Sequence, residues 1–281
     1  MDAVLLACSS AVLFGAMTVA LRLGLARSPG ASAAAFLMVV PAFAVTLPFA
    51  AVQGLSLDGV WPFALAGLLG PGLSQLLFTF AVRDAGPSRT SVVVGTAPLF
   101  SVAIALVFLD EPLVAGLILG AVLIVAGGVL LVGERGRPAH VRTIGLVYAL
   151  AATIVFAVRD NIVRWLAGDT TVEPAVAAAV TLATGALVAG AYLLVTRRAI
   201  ALRALPSFLP AGLLFGLSYV CLFEAYYRGR VSVVSPLVAT ESLWGVAISA
   251  LVLGRHELVG LRLFGGAALV VAGGMLIGAT R

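Results

Sequence analysis

Ionisable residues inside long apolar segments are the strongest candidates for chemistry in this sequence. Glu241 lies about midway along the segment VSVVSPLVATESLWGVAISALVL, and Trp244 follows it at i+3 on the same helix face. Because a charge at the centre of a membrane-spanning helix costs about 2.5–3.5 kcal/mol, a residue kept there is a functional candidate by default. A carboxylate beside an aromatic ring suits an ammonium group, through charge and cation–π attraction. The alternatives are that Glu241 exchanges a proton, or that it makes an interhelical hydrogen bond without a functional role.

Three further charges lie in apolar segments of the second half of the chain. Arg159 and Asp160 stand about two helical turns before the end of their segment. A guanidinium is well suited to a carboxylate ligand, but an ion pair between these two neighbours, or with another helix, is an equally good interpretation. Glu224 is ambiguous in a similar way, because Arg228 at i+4 offers it an ordinary helix pair.

In the first half, the candidate polar residue is Gln75, which follows a helix-interrupting triplet made of Gly70, Pro71 and Gly72. Such a break frees backbone polar groups, which is tolerated in a membrane only where protein or a wet cavity satisfies them. Interrupted spans are also a sequence indicator of binding sites in membrane transport proteins. Phe78 and Thr79 share the face of Gln75, so we expect these three side chains to line a site.

Proline and aromatic residues add two further expectations. Pro98 and Pro236 are predicted to bend the fourth and ninth apolar segments. Tyr219, Phe223 and Tyr226 form an aromatic stripe along the eighth segment. This stripe would line a cavity for apolar ligands, or it would form an interfacial belt that faces lipid.

The composition places all of these residues in a membrane protein. Hydrophobic residues make up 62% of the 281 residues and charged residues only 10%, against about 25% charged residues in a typical soluble domain. Charges, prolines and glycines divide the chain into about ten apolar runs that are long enough to span a bilayer. The expected fold is therefore an all-α membrane protein with transmembrane helices near 3–25, 31–52, 61–82, 88–109, 113–133, 143–166, 174–196, 207–227, 231–253 and 258–279.

An internal repeat relates the two halves of the chain. The phrase GAVLIVAGGVLLVG starts at Gly120 and returns as GAALVVAGGMLIG at Gly266, 146 positions later, while Glu111 and Glu257 share the same offset. We therefore predict repeats at 1–133 and 143–281, joined by a linker at 134–142. Because five helices per repeat is an odd number, the second repeat must be inverted in the membrane, as in alternating-access transporters. The glycines predict close helix packing, within the protomer or with a second copy.

The segment APLFSVAIALVFLDEPLVAGLILGAVLIVAGGVLL, from Ala97 to Leu131, places a proline, an acidic residue and a glycine-rich helix in succession. Together with the two five-helix halves, it resembles the EamA type of the drug/metabolite transporter superfamily. The second half departs from the pattern at Trp244, which stands where the repeat would place the counterpart of Pro98. The resemblance implies that predicted helices 1, 3, 4, 6, 8 and 9 line a central cavity, and that helices 5 and 10 are peripheral. It also implies export of amino acids, with aromatic ones as the leading candidates.

The functional prediction is a multi-pass transporter of the cell inner membrane that exports small amphipathic metabolites by alternating access around a midplane cavity. A zwitterionic amino acid with an apolar side chain would match the cation Arg159, the anion Glu241 and their apolar surroundings. The alternative is proton-coupled efflux of cationic drugs or polyamines, with Glu241 exchanging the proton. A channel and an intramembrane enzyme are less favoured, because no catalytic motif is present.

The expected partners are a small-molecule substrate and the lipid bilayer, with no nucleic acid, no cofactor and no metal ion. The chain would act as a monomer, or as a homodimer through helices 5 and 10. Most loop arginines follow odd-numbered helices, which places those loops in the cytoplasm and both termini outside. The family resemblance implies the opposite orientation, so both remain open, with the arginine distribution slightly favoured.

Overall fold

The computed structural model describes residues 2–28, 30–108, 115–132, 141–199, 202–229, 231–254 and 260–279. All regular secondary structure within these ranges is helical. Eight helical segments of this part of the chain are long and apolar enough to cross a membrane, judged by length and composition. The protein is therefore an all-helical, multi-pass membrane protein, as its composition predicts.

The helices follow the predicted apolar segments in chain order. The first half contains α1 (Ala3–Arg27), α2 (Ala31–Gln53), α3 (Trp61–Gly67), a π-helical turn (Leu68–Ser74), α4 (Gln75–Ala85), α5 (Pro87–Val94), α6 (Ala97–Phe108) and α7 (Ala115–Val132). The second half contains α8 (Thr143–Ala167), α9 (Pro174–Val195), a 3-10 turn (Leu202–Ala204), α10 (Leu205–Arg228), α11 (Val231–Val238), α12 (Glu241–Leu253) and α13 (Leu261–Ala279).

Eight of the ten predicted spans coincide with the membrane-capable helical segments, and their ends differ by a few residues. The other two, 88–109 and 113–133, fall on the broken pair α5–α6 and on α7, which contains the shorter apolar stretch Ile118–Gly127. The number of ten crossings therefore stays a prediction. Glu111 and Glu257, which mark the repeat in the sequence, lie outside the described residues.

Proline and glycine set several helix boundaries. Proline stands at the first or second position of α3, α5, α9 and α10, where its missing N–H has no intrahelical partner to lose. Gly86 separates α4 from α5 with a φ of +82°, in the left-handed region that favours glycine. This single residue lets the chain turn directly from one helix into the next.

Small residues are enriched on the buried face of the apolar helix α9. On α9, the small residues Ala175, Ala178 and Gly185 are buried, whereas Leu187 and Leu194 are exposed. In lipid there is little hydrophobic reason to bury a leucine, so small residues that let backbones approach closely occupy the helix interfaces. Hydrophobicity alone therefore leaves the rotation of these helices about their axes unspecified.

A two-residue break occurs at the same place in both halves. Gly95 and Thr96 separate α5 from α6, and Ala239 and Thr240 separate α11 from α12. At each break the threonine hydroxyl donates to the carbonyl three residues earlier, over 2.6 Å, from Thr96 to Val93 and from Thr240 to Leu237. The match sets the register of the two halves here, and it makes Ala97 the counterpart of Glu241.

The two predicted bending prolines flank these breaks. Pro98 lies in the first turn of α6, and Pro236 lies in the last turn of α11. A Cβ added at Gly274 of α13 would lie 3.4 Å from Pro98 Cγ and 3.9 Å from Pro236 Cα, so both prolines pack against the same glycine. In this register the counterpart of Pro98 is Ser242 and not Trp244, which corrects the alignment made from the sequence.

The triplet Gly70, Pro71 and Gly72 lies inside the π-helical turn between α3 and α4. Gly70 has a non-helical ψ of −108°, and the hydroxyl of Ser74 donates to the Gly70 carbonyl, which satisfies one of the freed backbone groups. An added Cβ at Gly185 of α9 would lie 2.6 Å from Pro71 Cβ. The structure thus has a break at the predicted triplet, and this break is packed tightly on α9.

The repeated glycine phrases pack against each other within the chain. A Cβ at Gly273 of α13 would lie 2.5 Å from the carbonyl oxygen of Gly120, and a Cβ at Gly127 would lie 2.6 Å from that of Gly266. Residue numbers rise along α7 as they fall along α13 in these contacts, so the two helices are antiparallel. The glycines therefore permit close contact between α7 and α13 of one protomer.

Candidate functional site

A cavity with about 520 Å³ of empty space, including its opening, lies between the two halves of the chain. Its wall is formed by α1, α4, α5, the start of α6, α8, α10, α11 and α12. These elements belong to the six predicted spans, 1, 3, 4, 6, 8 and 9, that the family resemblance implied.

The charged residues of the described lining all come from one half of the chain. The described lining residues of the first half are all apolar: Phe14, Met17, Phe78, Val94 and Ala97. The second half supplies every ionisable group of this lining, together with a tyrosine and a serine: Arg159, Asp160, Tyr226, Ser235 and Glu241. The second half also supplies the apolar residues Phe156, Leu222, Val238 and Ala239, so the cavity is largely apolar and its charged groups come from one half.

The repeat relates the lining residues of the two halves. Phe14 and Phe156 begin the matching motifs FGAMTVALR and FAVRDNIVR, and both line the cavity. In the same register Met17 corresponds to Arg159. Of the apolar lining residues of the first half, sequence reasoning named only Phe78, although projecting Arg159 back through the repeat points to Met17. Arg159 and Glu241 therefore occupy positions that are apolar in the first half, whereas Asp160 corresponds to the polar Thr18.

Arg159 is buried and surrounded by partners. Its Nε lies 2.7 Å from Asp160 Oδ1, and its Nη1 donates to the hydroxyl of Tyr219. The centre of the guanidinium lies 5.1 Å from the ring centroid of Tyr219 and 5.5 Å from that of Phe156, within cation–π range. An added Cβ at Gly70 would lie 3.0 Å from Arg159 Cγ, so the π-helical turn leaves room for the arginine stem. The π-helical turn at Gly70 is therefore in direct contact with Arg159 of the cavity lining.

Tyr219 belongs to an aromatic cluster inside the bundle. Its ring centroid lies 4.7 Å from Phe215, 5.7 Å from Phe223 and 6.1 Å from Phe14. Tyr219, Phe223 and Tyr226 are all buried, so the interpretation of the stripe as a lipid-facing belt is wrong. Tyr226 lines the cavity, whereas Tyr219 lies outside the described lining and accepts a hydrogen bond from Arg159.

Glu241 opens α12 directly after the repeated break and lines the cavity. The residue is 9% exposed, and it makes no hydrogen bond or ion pair with any residue that the structure describes. Arg159 and Asp160 are its charged neighbours, as lining residues of the same cavity. Within the described lining, Glu241 is thus a buried carboxyl group without a hydrogen-bond or ion-pair partner.

Trp244 does not join Glu241 at the cavity. The residue is 44% exposed, and it is absent from the described lining. Three residues turn a helix by about 300°, so its ring starts roughly 60° round the axis from Glu241. A Cβ added at Gly15 of α1 would lie 2.8 Å from Trp244 Cβ, so the base of this side chain packs against α1. The aromatic surroundings of the cavity come instead from Phe14, Phe78 and Phe156.

Among the three residues predicted around the helix break, only Phe78 lines the cavity. The ring of Phe78 packs edge-on against Phe156, with 6.1 Å between the centroids. Thr79 is buried and donates its hydroxyl to the Gln75 carbonyl over 2.7 Å. Gln75 is buried outside the cavity lining, and its amide nitrogen and oxygen have no hydrogen-bond partner among the described residues.

Glu224 lies in a structural junction away from the cavity. It forms an ion pair with Arg228 and accepts a hydrogen bond from Nε2 of Gln53 at the end of α2. Oε1 of the same Gln53 accepts from the backbone N–H of Ala175 at the start of α9, over 2.9 Å. Glu224 therefore ties α10 to α2 and α9, which agrees with the helix-pair interpretation rather than with a place at the cavity.

Comparison with known proteins identifies related sequences and folds. The model of the EamA-like transporter family matches residues 1–133 and again residues 143–279. No curated protein matches the chain. A solved structure described only as "Crystal structure of protein" has a TM-score of 0.66 at 22% sequence identity, over 98% of this chain and 94% of that chain. At this identity the likeness shows a shared fold and carries no information on substrate.

Proposed function

Because the chain belongs to the EamA-like transporter family, a family of non-enzymatic membrane transporters, we propose that it moves small amphipathic molecules bearing an ammonium group across the cell inner membrane. The observation that supports this proposal best is the unpaired carboxylate of Glu241 in the cavity. A buried charge is costly unless it is paired, and a ligand ammonium would provide the pair. Phe14, Phe78 and Phe156 would hold the apolar part of the same ligand.

Two substrate classes fit this description, amino acids and cationic amines. An amino acid needs a cation for its carboxylate, and Arg159 is the described cation of the lining. Arg159 already forms an ion pair with Asp160 and donates a hydrogen bond to Tyr219, which supports an amine without a carboxylate as the better ligand. The geometry therefore favours aromatic or otherwise apolar amines over the corresponding amino acids, and the amino-acid class stays the second candidate.

Alternating access between two inverted repeats is the mechanism that we infer for this transport. The repeat pairs Gly120 with Gly266 and Gly127 with Gly273. The contact between Gly120 and Gly273 therefore corresponds to the one between Gly127 and Gly266, and both contacts are present. This reciprocity is what a two-fold axis between the antiparallel helices α7 and α13 would produce, and it supports inversion.

The two equivalent breaks differ in how tightly they are covered. On the α5 side, an added Cβ at Gly245 of α12 would overlap the Ser91 side chain, and one at Gly95 would lie 2.7 Å from Ser242 Cβ. On the α11 side, Ser235 and Ala239, which correspond to Ser91 and Gly95, line the cavity instead. We therefore infer a state in which the cavity is closed at the contact between α5 and α12. Transport would require this contact to open while the equivalent one, between α11 and α6, closes.

The residues of the π-helical turn and Gln75 would take part in this mechanism without lining the cavity. The turn containing Gly70, Pro71 and Gly72 would let α4 shift against α8 and α9, and the unpartnered amide of Gln75 would bond a ligand or water in another state. Because the α7 and α13 glycines are occupied by each other, the monomer is favoured over a homodimer through these helices.

Proteoliposome counterflow tests the proposal. Vesicles containing purified protein are loaded with unlabelled phenethylamine, and uptake of the labelled compound is followed with and without a pH gradient, beside a panel of amino acids and polyamines. Saturable counterflow of at least one amine or amino acid is expected. Protein-dependent flux of none of these compounds would contradict the proposed function, and flux without saturation or counterflow would favour a channel.

A further inference from the structure

Arg159, the cation of the described lining, already contacts protein groups that affect its binding of a ligand carboxylate. An arginine grips a carboxylate with two parallel hydrogen bonds through one of two edges, Nε with Nη2 or Nη1 with Nη2. In this structure Nε faces Asp160 at 2.7 Å, and Nη1 donates to Tyr219. Asp160 and Tyr219 thus each lie against one position on an edge of the guanidinium, Asp160 as an ion-pair partner without a hydrogen bond from Nε, and a ligand carboxylate would have to compete with both.

The charges of the described lining point to the same selectivity. Arg159 contributes one positive charge, whereas Asp160 and Glu241 contribute two negative charges when ionised. Without Asp160, the remaining pair of Arg159 and Glu241 would match a zwitterion. With Asp160, an incoming carboxylate must displace it from Arg159 and then lie near two anions.

We propose that Asp160 is a specificity-determining residue, which makes the cavity select amines that lack a carboxylate over the corresponding amino acids. This inference rests on the proposed function, in which Glu241 binds the ligand ammonium. Asp160 blocks Arg159 directly and adds negative charge to the cavity. Tyr219 contributes by holding the other edge of the guanidinium.

Phenethylamine and phenylalanine are the matched pair of probes, because they differ only by a carboxylate. Their apparent affinities are measured by competition with labelled phenethylamine, for the wild type and for Asp160→Asn. Asparagine keeps the size of the side chain and an acceptor for Nε but removes the charge. The wild type is expected to prefer phenethylamine, and the ratio of affinities should shift toward phenylalanine by roughly tenfold in the variant, as expected when one charge-assisted contact is gained.

Asp160→Glu is the matched control, since it retains the charge and should retain the preference for the amine. An equal ratio for wild type and Asp160→Asn, with both proteins folded and binding, would overturn the inference and leave the proposed function standing. Should Asp160→Asn fail to fold, the wild type alone decides, because affinity for phenylalanine equal to or above that for phenethylamine overturns the inference as well. Absence of binding and flux for both probes in the wild type would instead count against the proposed function itself.

Discussion

Replacing Glu241 with glutamine tests the centre of the proposed site. The substitution keeps the shape of the side chain and removes its charge. Because Glu241 has no hydrogen-bond or ion-pair partner within the described residues, Glu241→Gln breaks no described interaction of the folded protein. An amide is also less costly to bury than a carboxylate. The variant is therefore expected to fold normally, with an unfolding temperature equal to or above that of the wild type.

The expected effect on binding is large. A hydrogen bond between charged groups contributes about 1.5–3 kcal/mol, which corresponds to roughly 10- to 150-fold in affinity. The apolar contacts with Phe14, Phe78 and Phe156 remain in the variant. Affinity for phenethylamine should therefore fall by one to two orders of magnitude without disappearing.

Glu224→Gln is a matched control, because Glu224 is 7% exposed, close to the 9% of Glu241, but is paired with Arg228 and Gln53 away from the cavity. This control should lower the unfolding temperature slightly, because it weakens the pairing of Glu224 with the half-exposed Arg228, and should leave affinity unchanged. Calorimetric titration of purified protein with phenethylamine measures affinity, and thermal unfolding in detergent measures stability.

Flux measurements separate a binding role of Glu241 from a proton-coupling role. Loss of affinity indicates ammonium binding. Counterflow that persists while its response to a pH gradient is lost indicates proton exchange at this carboxylate. Unchanged affinity together with unchanged flux under both conditions would refute the assignment of Glu241 to the site.

Two further predictions concern helix packing. Gly245→Leu places a side chain against Ser91 and should hold α5 and α12 apart. We expect proteoliposome flux to fall at least tenfold while phenethylamine binding persists. Flux equal to that of the wild type would contradict the inferred seal. Gly273→Leu inserts a side chain between α13 and α7 and should lower the unfolding temperature in detergent. Gly265→Leu is its control, because an added Cβ there has no neighbour nearer than 4.0 Å, and equal unfolding temperatures for the two variants would argue against the packing described.

Much of the fold could be predicted from the sequence, because membrane insertion imposes strong local constraints. The helix ends follow from apolar length and from proline and glycine positions, which act through the backbone and need no tertiary context. The break at Gly70, Pro71 and Gly72 is visible for the same reason. The depth of Glu241 within an apolar segment also indicated a buried carboxylate, which the structure contains.

The composition of the site depended on tertiary structure. Trp244 and Glu224 were placed at the site by helical spacing and by charge, yet neither lines the cavity. Periodicity tells which residues share a face, but these helices are apolar on all sides, so it does not tell which face points inward. Close packing of small residues such as Gly15 and Gly185 decided the rotation of each helix.

The partner of each charge was likewise a tertiary property. The sequence left open whether Arg159 binds a ligand or Asp160, because neighbouring residues on a helix point about 100° apart. The aliphatic part of the Arg159 side chain packs against Gly70, and its guanidinium donates to Tyr219 on α10. In this position the guanidinium lies beside Asp160. The sequence by itself determined a two-repeat membrane transporter with buried charges in its second half, through length, hydrophobicity and the repeat. Which of those charges remains free for a ligand was decided by packing between helices that are distant in the chain.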